Sequence, residues 1–199
     1  MYKLGITGGI GSGKTSASLY YQNKGAIVFN ADEETKNYIL SNVKIQNLII
    51  KTFGNIVTNK GKLNFLKLSE LVFSDKSKQT ALNQIMWPEV NKLISSTYDK
   101  VQHSTSNIFI VDAALIIESG NTSFFDSLLL ITAKKSIRKE RIQLRKNIPL
   151  HQIKKRMDLQ MPEHKKKEHC HDIIYNNGSL IELHKELDQF WTNIMNNLK

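Results

Sequence analysis

The sequence predicts an α/β fold, a three-layer sandwich with a parallel sheet between helices. Three observations predict it: apolar runs of strand length recur along the chain, most are separated by helical periodicity, and the first run opens into a glycine-rich segment followed by a helix. The runs are Leu4–Thr7, Ala26–Asn30, Ile108–Asp112, Leu128–Thr132 and Ile173–Tyr175. Short apolar runs of this kind read as buried strands. Buried strands alternating with helices build a parallel sheet covered on both faces.

A chain of 199 residues fits one domain, 1–199, with room for insertions that move against it. A hydrophobic fraction of 40% and a charged fraction of 23% exclude a disordered or fibrous class. Apolar runs are too short to span a bilayer, and Met1 leads into strand-like Tyr2-Lys3-Leu4-Gly5-Ile6 without a signal-peptide pattern. A cytoplasmic protein without a membrane partner is expected. The single Cys170 excludes an internal disulfide framework. The net charge of +10, from 28 Lys and Arg against 18 Asp and Glu, leaves two readings: an anionic partner such as polyphosphate or nucleic acid, or a lysine-rich solvated surface.

The core is predicted at about 1–32, 104–135 and 166–199. Between 33 and 103 the periodicity is helical and is broken by turn residues at Asn59-Lys60-Gly61-Lys62. That stretch is too long for a simple crossover and reads as a helical insertion holding the second substrate. A second, strongly basic helical segment at about 136–165 reads as a lid. Pro88, Pro149 and Pro162 are expected at helix boundaries, and Ser179 as the cap of a last helix through about Asn196.

The first strand ends in Gly8-Gly9-Ile10-Gly11-Ser12-Gly13-Lys14-Thr15, which matches G-x-x-x-x-G-K-[ST] at every position and precedes the helical run Ser16–Asn23. Strand, loop and helix are the context this phosphate-binding motif requires. The backbone of Gly9, Ile10, Gly11, Ser12 and Gly13 is expected to cradle phosphate oxygens, aided by the partial positive charge of the helix start. Lys14 then reaches the terminal phosphates and Thr15 offers its hydroxyl to Mg²⁺. The fold expected is therefore the P-loop type of nucleotide-binding sandwich. The loop does not say whether water, a protein or a small alcohol receives the phosphate.

Phe29-Asn30-Ala31-Asp32-Glu33-Glu34 places acids at the carboxyl end of the second strand, the side on which open α/β sheets bind ligands. Asp32 is either a general base for a hydroxyl or the N-cap of the following helix. Asp112 ends the apolar run Ile108-Phe109-Ile110-Val111, and is either a magnesium-associated carboxylate or a turn cap. Arg138, Arg141 and Arg145, at spacings of three and four, fall on one helix face. Mobile arginines that neutralise a transferring phosphoryl group suit the chemistry, and a solvated face is the alternative.

These segments together resemble the dephospho-coenzyme A kinases. The opening Leu4-Gly5-Ile6-Thr7-Gly8-Gly9-Ile10-Gly11-Ser12-Gly13-Lys14 looks like that family's start, and Asn30-Ala31-Asp32 stands where it carries Asp-Ala-Asp. Asp112-Ala113-Ala114-Leu115-Ile116-Ile117-Glu118 is similar to a segment with Pro-Leu-Leu and a glutamate, with Ala114 at the proline. Met86-Trp87-Pro88-Glu89-Val90 is similar to a His-Pro element, with Trp87 at the histidine.

The resemblance implies ATP and Mg²⁺ as cofactors and dephospho-coenzyme A as the small-molecule acceptor, phosphorylated on its ribose 3′-hydroxyl. It makes Asp32 the general base, Lys14 and Arg141 its catalytic partners, Arg141 and Arg145 phosphate contacts, and Arg156 and Gln160 structural or substrate residues. Tyr175-Asn176-Asn177-Gly178 resembles a turn near the adenine, with Asn177 beside the base or merely in an Asn-Gly turn. A monomer or weak homo-oligomer is expected. The group His164, His169, Cys170 and His171 lacks the paired spacing of a zinc site.

Two rivals share the loop. Another small-molecule kinase, of nucleoside or shikimate type, would differ in the insertion. A nucleic-acid-binding P-loop ATPase would need an aromatic-interleaved basic platform, and the basic residues here gather in one helix pair instead. No nucleic-acid partner is expected.

Overall fold

Five strands make the main sheet: β1 (Tyr2–Thr7), β2 (Ile27–Asn30), β5 (Ile108–Asp112), β6 (Ser127–Thr132) and β7 (Asp172–Tyr175), in the spatial order β2-β5-β1-β6-β7. The computed structural model describes residues 1–146 and 150–198, without the side chains of residues 145, 146 and 150–152. Pro149 lies outside the described residues, as does the side chain of Arg145. β1 pairs in parallel with β5 on one side and β6 on the other, and β6 pairs in parallel with β7. Each of the five apolar runs is a strand, so the predicted fold class holds. The chain divides into two compact units, Met1–Phe29 with Lys100–Lys199, and Asn30–Asp99.

In the first unit, α1 (Lys14–Asn23) and α9 (Leu180–Asn197) close one face of the sheet. Alternate strand residues point at them, and Leu4, Ile6, Ile108, Ile110, Leu129, Ile131 and Ile174 bury against Tyr21, Leu183, Leu187 and Phe190. Each such aliphatic side chain contributes about 1.5–3 kcal/mol by leaving water. The Tyr21 hydroxyl, deep in this core, donates to the Leu187 carbonyl at 3.1 Å, which ties α1 to α9. Ser179 caps α9 with a reciprocal Glu182 bond, satisfying two of the amides that a helix start leaves open. On the opposite face β1 carries Gly5, because a side chain there would meet Leu128, Ile116 and Phe125.

The same unit holds α6 (Lys135–Lys146), α7 (Leu150–Asp158) and the short α8 (Glu163–Lys167). Ile142, Ile153 and Met157 form their own small core, with Ile10 packed against it. Pro162 stands at the N-cap of α8, the expected boundary.

The second unit contains α2 (Ala31–Ser41), α3 (Val43–Phe53), a hairpin of β3 (Thr58–Asn59) and β4 (Lys62–Leu63), α4 (Phe65–Val72) and most of α5 (Lys76–Val101). Its core is Ile39, Ile45, Ile49, Val57, Leu68, Val72 and Met86. Asn30, Asn42 and Asn64 each cap a helix through the side-chain oxygen. At the predicted break Lys60 and Gly61 both take positive φ, 49° and 74°, the backbone of a tight hairpin turn whose twist matches its strands. Pro88 departs from the expectation of a boundary: it lies inside α5, where the helix runs on through a proline that supplies no N–H.

Candidate active site

The phosphate loop begins where β1 ends, at Thr7, and finishes at Lys14, the first residue of α1. Gly13 adopts the left-handed conformation (φ 104°, ψ 15°) as the N-cap, and a side chain there would collide with the Asn176 amide. Gly9 is needed for a different reason, because a Cβ would strike the Arg138 guanidinium. Gly8 and Gly11 leave no room either, a Cβ meeting the backbone carbonyls of Ile131 and Arg138, so all four glycines answer to what stands beside the loop.

Ile10 is gripped in three ways. Its N–H donates to Gln160 Oε1 at 2.9 Å, its carbonyl accepts from Arg138 Nε at 2.9 Å, and its side chain joins the apolar cluster of α6 and α7. Arg138 is 9% exposed and also meets Glu163 at 3.3 Å; burial pulls its pKa down, while the Glu163 charge works the other way. The backbone of Ile10 is thereby turned toward the helices. Ser12, at the other end of the loop, donates its N–H to the Gly9 carbonyl and accepts at its own carbonyl from Asn176 Nδ2 at 2.9 Å. Its hydroxyl is buried with no hydrogen-bond partner among the described residues.

Asn176 in turn anchors Arg141, whose guanidinium donates to the Asn176 carbonyl at 3.0 Å, to Asn176 Oδ1 at 3.3 Å and to the Gly178 carbonyl at 3.2 Å. Arg141 and Asn176, with Gly11, Gly13, Ser16 and Leu180, line a cavity of about 340 Å³. Asn177 is exposed and its side-chain oxygen accepts from the Lys134 amide at 2.8 Å, so Asn176 is the one on the cavity wall. The alternation of β7 runs one step past the strand end: Ile174 and Asn176 are buried, Tyr175 and Asn177 exposed. That period-two signal was available in the sequence and separates the two asparagines.

A second cavity, of about 370 Å³, opens at Gly9 and is lined by Arg138, Gln160, Glu163 and Lys166 among others. Asp112 is buried at the end of β5, in register with Ile6 just before the loop, and Ala113 N–H donates to the Ile6 carbonyl. Lys14 is half-buried and Thr15 exposed. In the second unit Asp32 is exposed in the first turn of α2, and the cap of that helix is Asn30, whose side chain accepts from Glu33 N–H at 3.2 Å. The capping alternative for Asp32 is therefore taken by its neighbour, which also gives Asn30 a role. Burial pushes the Cys170 thiol up to about 11, away from nucleophile chemistry, and His171 Nδ1 accepts the Leu128 amide at 3.0 Å. Sequence reasoning missed Arg138 as a buried clamp, Glu163, Asn176 and Lys166.

The parallel sheet and the loop at the start of α1 define a nucleotide-binding fold of the P-loop type. A family model described as dephospho-CoA kinase matches residues 2–182. The chain belongs to the dephospho-CoA kinase family, which carries out the final step of coenzyme A biosynthesis, and it is a kinase. It is 33% identical to the dephospho-CoA kinase of Fusobacterium nucleatum subsp. nucleatum, over 94% of this chain and 95% of that one. It is 31% identical to that of Bartonella quintana, over 98% of each. Among solved structures, TT1252 from Thermus thermophilus superposes with a TM-score of 0.81 at 25% identity, covering 100% of this chain and 98% of that one. The shikimate kinase of Acinetobacter baumannii, at 0.57 and 14% identity over 99% and 94%, shares the fold.

Proposed function

We propose that the chain transfers the γ-phosphoryl group of ATP to the ribose 3′-hydroxyl of dephospho-coenzyme A, giving coenzyme A and ADP. The observation that carries this reading is the complete phosphate loop at the start of α1, flanked by a cavity walled by Gly11, Gly13, Arg141 and Asn176, in a chain that matches the family over residues 2–182. Lys14 and the amides of the first turn of α1, which have no acceptor within their helix, neutralise the phosphate charge. Asp32 takes the proton as the hydroxyl oxygen bonds to phosphorus and the bond to the ADP oxygen breaks. Arg141, and Arg145 with it, stabilises the charge that shifts to the transferring group. The unit Asn30–Asp99 serves as the acceptor-binding insertion, and the segment of about 136–165 as a lid.

The donors present suit magnesium. Thr15 offers an exposed hydroxyl and Asp112 a carboxylate beside the strand that enters the loop, an all-oxygen set for an ion that takes one or two protein ligands and fills the rest with phosphate and water. When bound, Mg²⁺ would supply positive charge that offsets the charge of the phosphate groups. Among the described residues no helix is long and apolar enough to cross a membrane.

A coupled assay of ADP formation with dephospho-coenzyme A, shikimate, nucleosides and single-stranded DNA as alternatives tests the reading. Turnover that depends on dephospho-coenzyme A is expected. Stimulation by DNA, or preference for shikimate, would overturn it.

A further inference from the structure

Lys166 is a lysine at 1% exposure, on α8 and outside every motif that predicts phosphate chemistry. Its ammonium has three protons to place. It meets the Ala114 carbonyl at 2.7 Å and the two carboxylate oxygens of Glu118 at 2.8 and 2.9 Å. A buried charge is tolerated only when its donors are satisfied in this way, and such a pair adds little net stability.

Both partners of Lys166 lead on to the phosphate loop. The Ala114 carbonyl also accepts the hydroxyl of Thr7 at 3.3 Å, one residue before the loop begins, and Ala114 lies two residues beyond Asp112. Glu118 Oε1 accepts in addition the Met161 N–H at 3.1 Å, and the residue before Met161 is Gln160, which receives the Ile10 amide of the loop. One ion pair, its lysine buried, therefore joins the turn after Asp112, the root of the loop and the residue that grips the loop's Ile10.

We propose that Lys166 and Glu118 are positioning residues for phosphoryl transfer: their pair sets the acidic turn at Asp112 and the phosphate loop in one register. The proposal rests on the kinase reading above for its rate consequences, and on geometry alone for its effect on the loop. Lys166→Met removes the donor to Ala114 and leaves the partly buried Glu118 carboxylate without its cation, so both stability and rate should fall. In Lys166→Met/Glu118→Gln the unpaired charge is gone, and the new side-chain amide oxygen still offers Met161 an acceptor. Stability should recover while kcat stays down by at least about threefold, because displacement of a loop by a fraction of an ångström is costly to a positioned reaction.

The test is kcat and KM for ATP and dephospho-coenzyme A, thermal unfolding, and hydrogen exchange at the amides of Ile10–Gly13 and of residues 112–118, in wild-type protein and the double variant. Faster exchange in both segments with a threefold or greater loss of kcat supports the proposal. Wild-type exchange in those segments, or a kcat that returns to within threefold along with stability, overturns it and leaves the pair as a fold contact. If the single variant fails to fold, the double variant carries the test. If wild-type protein does not phosphorylate dephospho-coenzyme A, the functional reading fails and exchange alone decides this one.

Discussion

Arg138 and Arg141 stand three residues apart on α6, and the helix treats them as equivalent; their surroundings do not. Arg138 is sunk among α7, α8 and the loop, its guanidinium spent on the Ile10 carbonyl and Glu163. Arg141 is half-buried and reaches the opposite end of the loop, where it rests on the carbonyls of Asn176 and Gly178 and forms part of a cavity wall. The difference separates holding a catalytic loop from acting beside it. A stripe of like residues is one feature in sequence and two in the folded chain.

The comparison is sharpened first by removing what both arginines serve. Lys14→Ala should lower turnover by about 10²–10³-fold, the scale for losing a group that stabilises transition-state charge, with circular dichroism unchanged. Asp32→Asn should cost about 10²–10⁴-fold, the contribution of a positioned base. Single-turnover rates check both. An Asp32→Asn variant that keeps more than about a tenth of wild-type rate would sink the base assignment, since Asn30 already caps α2 and no capping loss would obscure the result.

Next, the two arginines should fail differently. Arg141→Ala is expected to lower kcat by more than about tenfold, with a smaller fall in Tm than Arg138→Ala and little change in KM for the acceptor, because a contact that strengthens in the transition state acts on the chemical step. Arg141→Lys should rescue only partly, lacking the planar fork. Arg138→Ala should instead show first in stability. It strips the Ile10 carbonyl of its donor and leaves Glu163 without its cation, at a cost of about 1–3 kcal/mol for a buried unsatisfied group, or a fall of several degrees in Tm. Equal losses of Tm in the two variants would erase the distinction.

The smallest effect belongs to a position outside both clamps. Asn30→Ala should cost about 1 kcal/mol in urea unfolding by removing the cap on Glu33 N–H, and Asn30→Asp close to nothing, since aspartate caps as well. A full loss of turnover in Asn30→Asp would assign Asn30 more than a cap.

The strands, the phosphate loop and the cap at Ser179 were legible without a structure, because each is set by local rules: buried runs, a glycine spacing, a hydroxyl followed three residues later by Glu182. The ordered likeness to a kinase family was legible too, through short segments that keep their order along the chain. Pro88 was not, since local propensity argues for a break there and α5 continues through it.

Local rules along the chain thus suffice for the sheet, the loop and the identity of the residues with charge to offer. Their duties are assigned by packing. Residues 128 and 164 positions apart in sequence, Arg138 with Ile10 and Asn176 with Ser12, meet at the loop. Lys166 reaches Ala114 from 52 residues away. No periodicity encodes such distances. They arise because a buried polar group must find a partner wherever the packed layers bring one within hydrogen-bond reach.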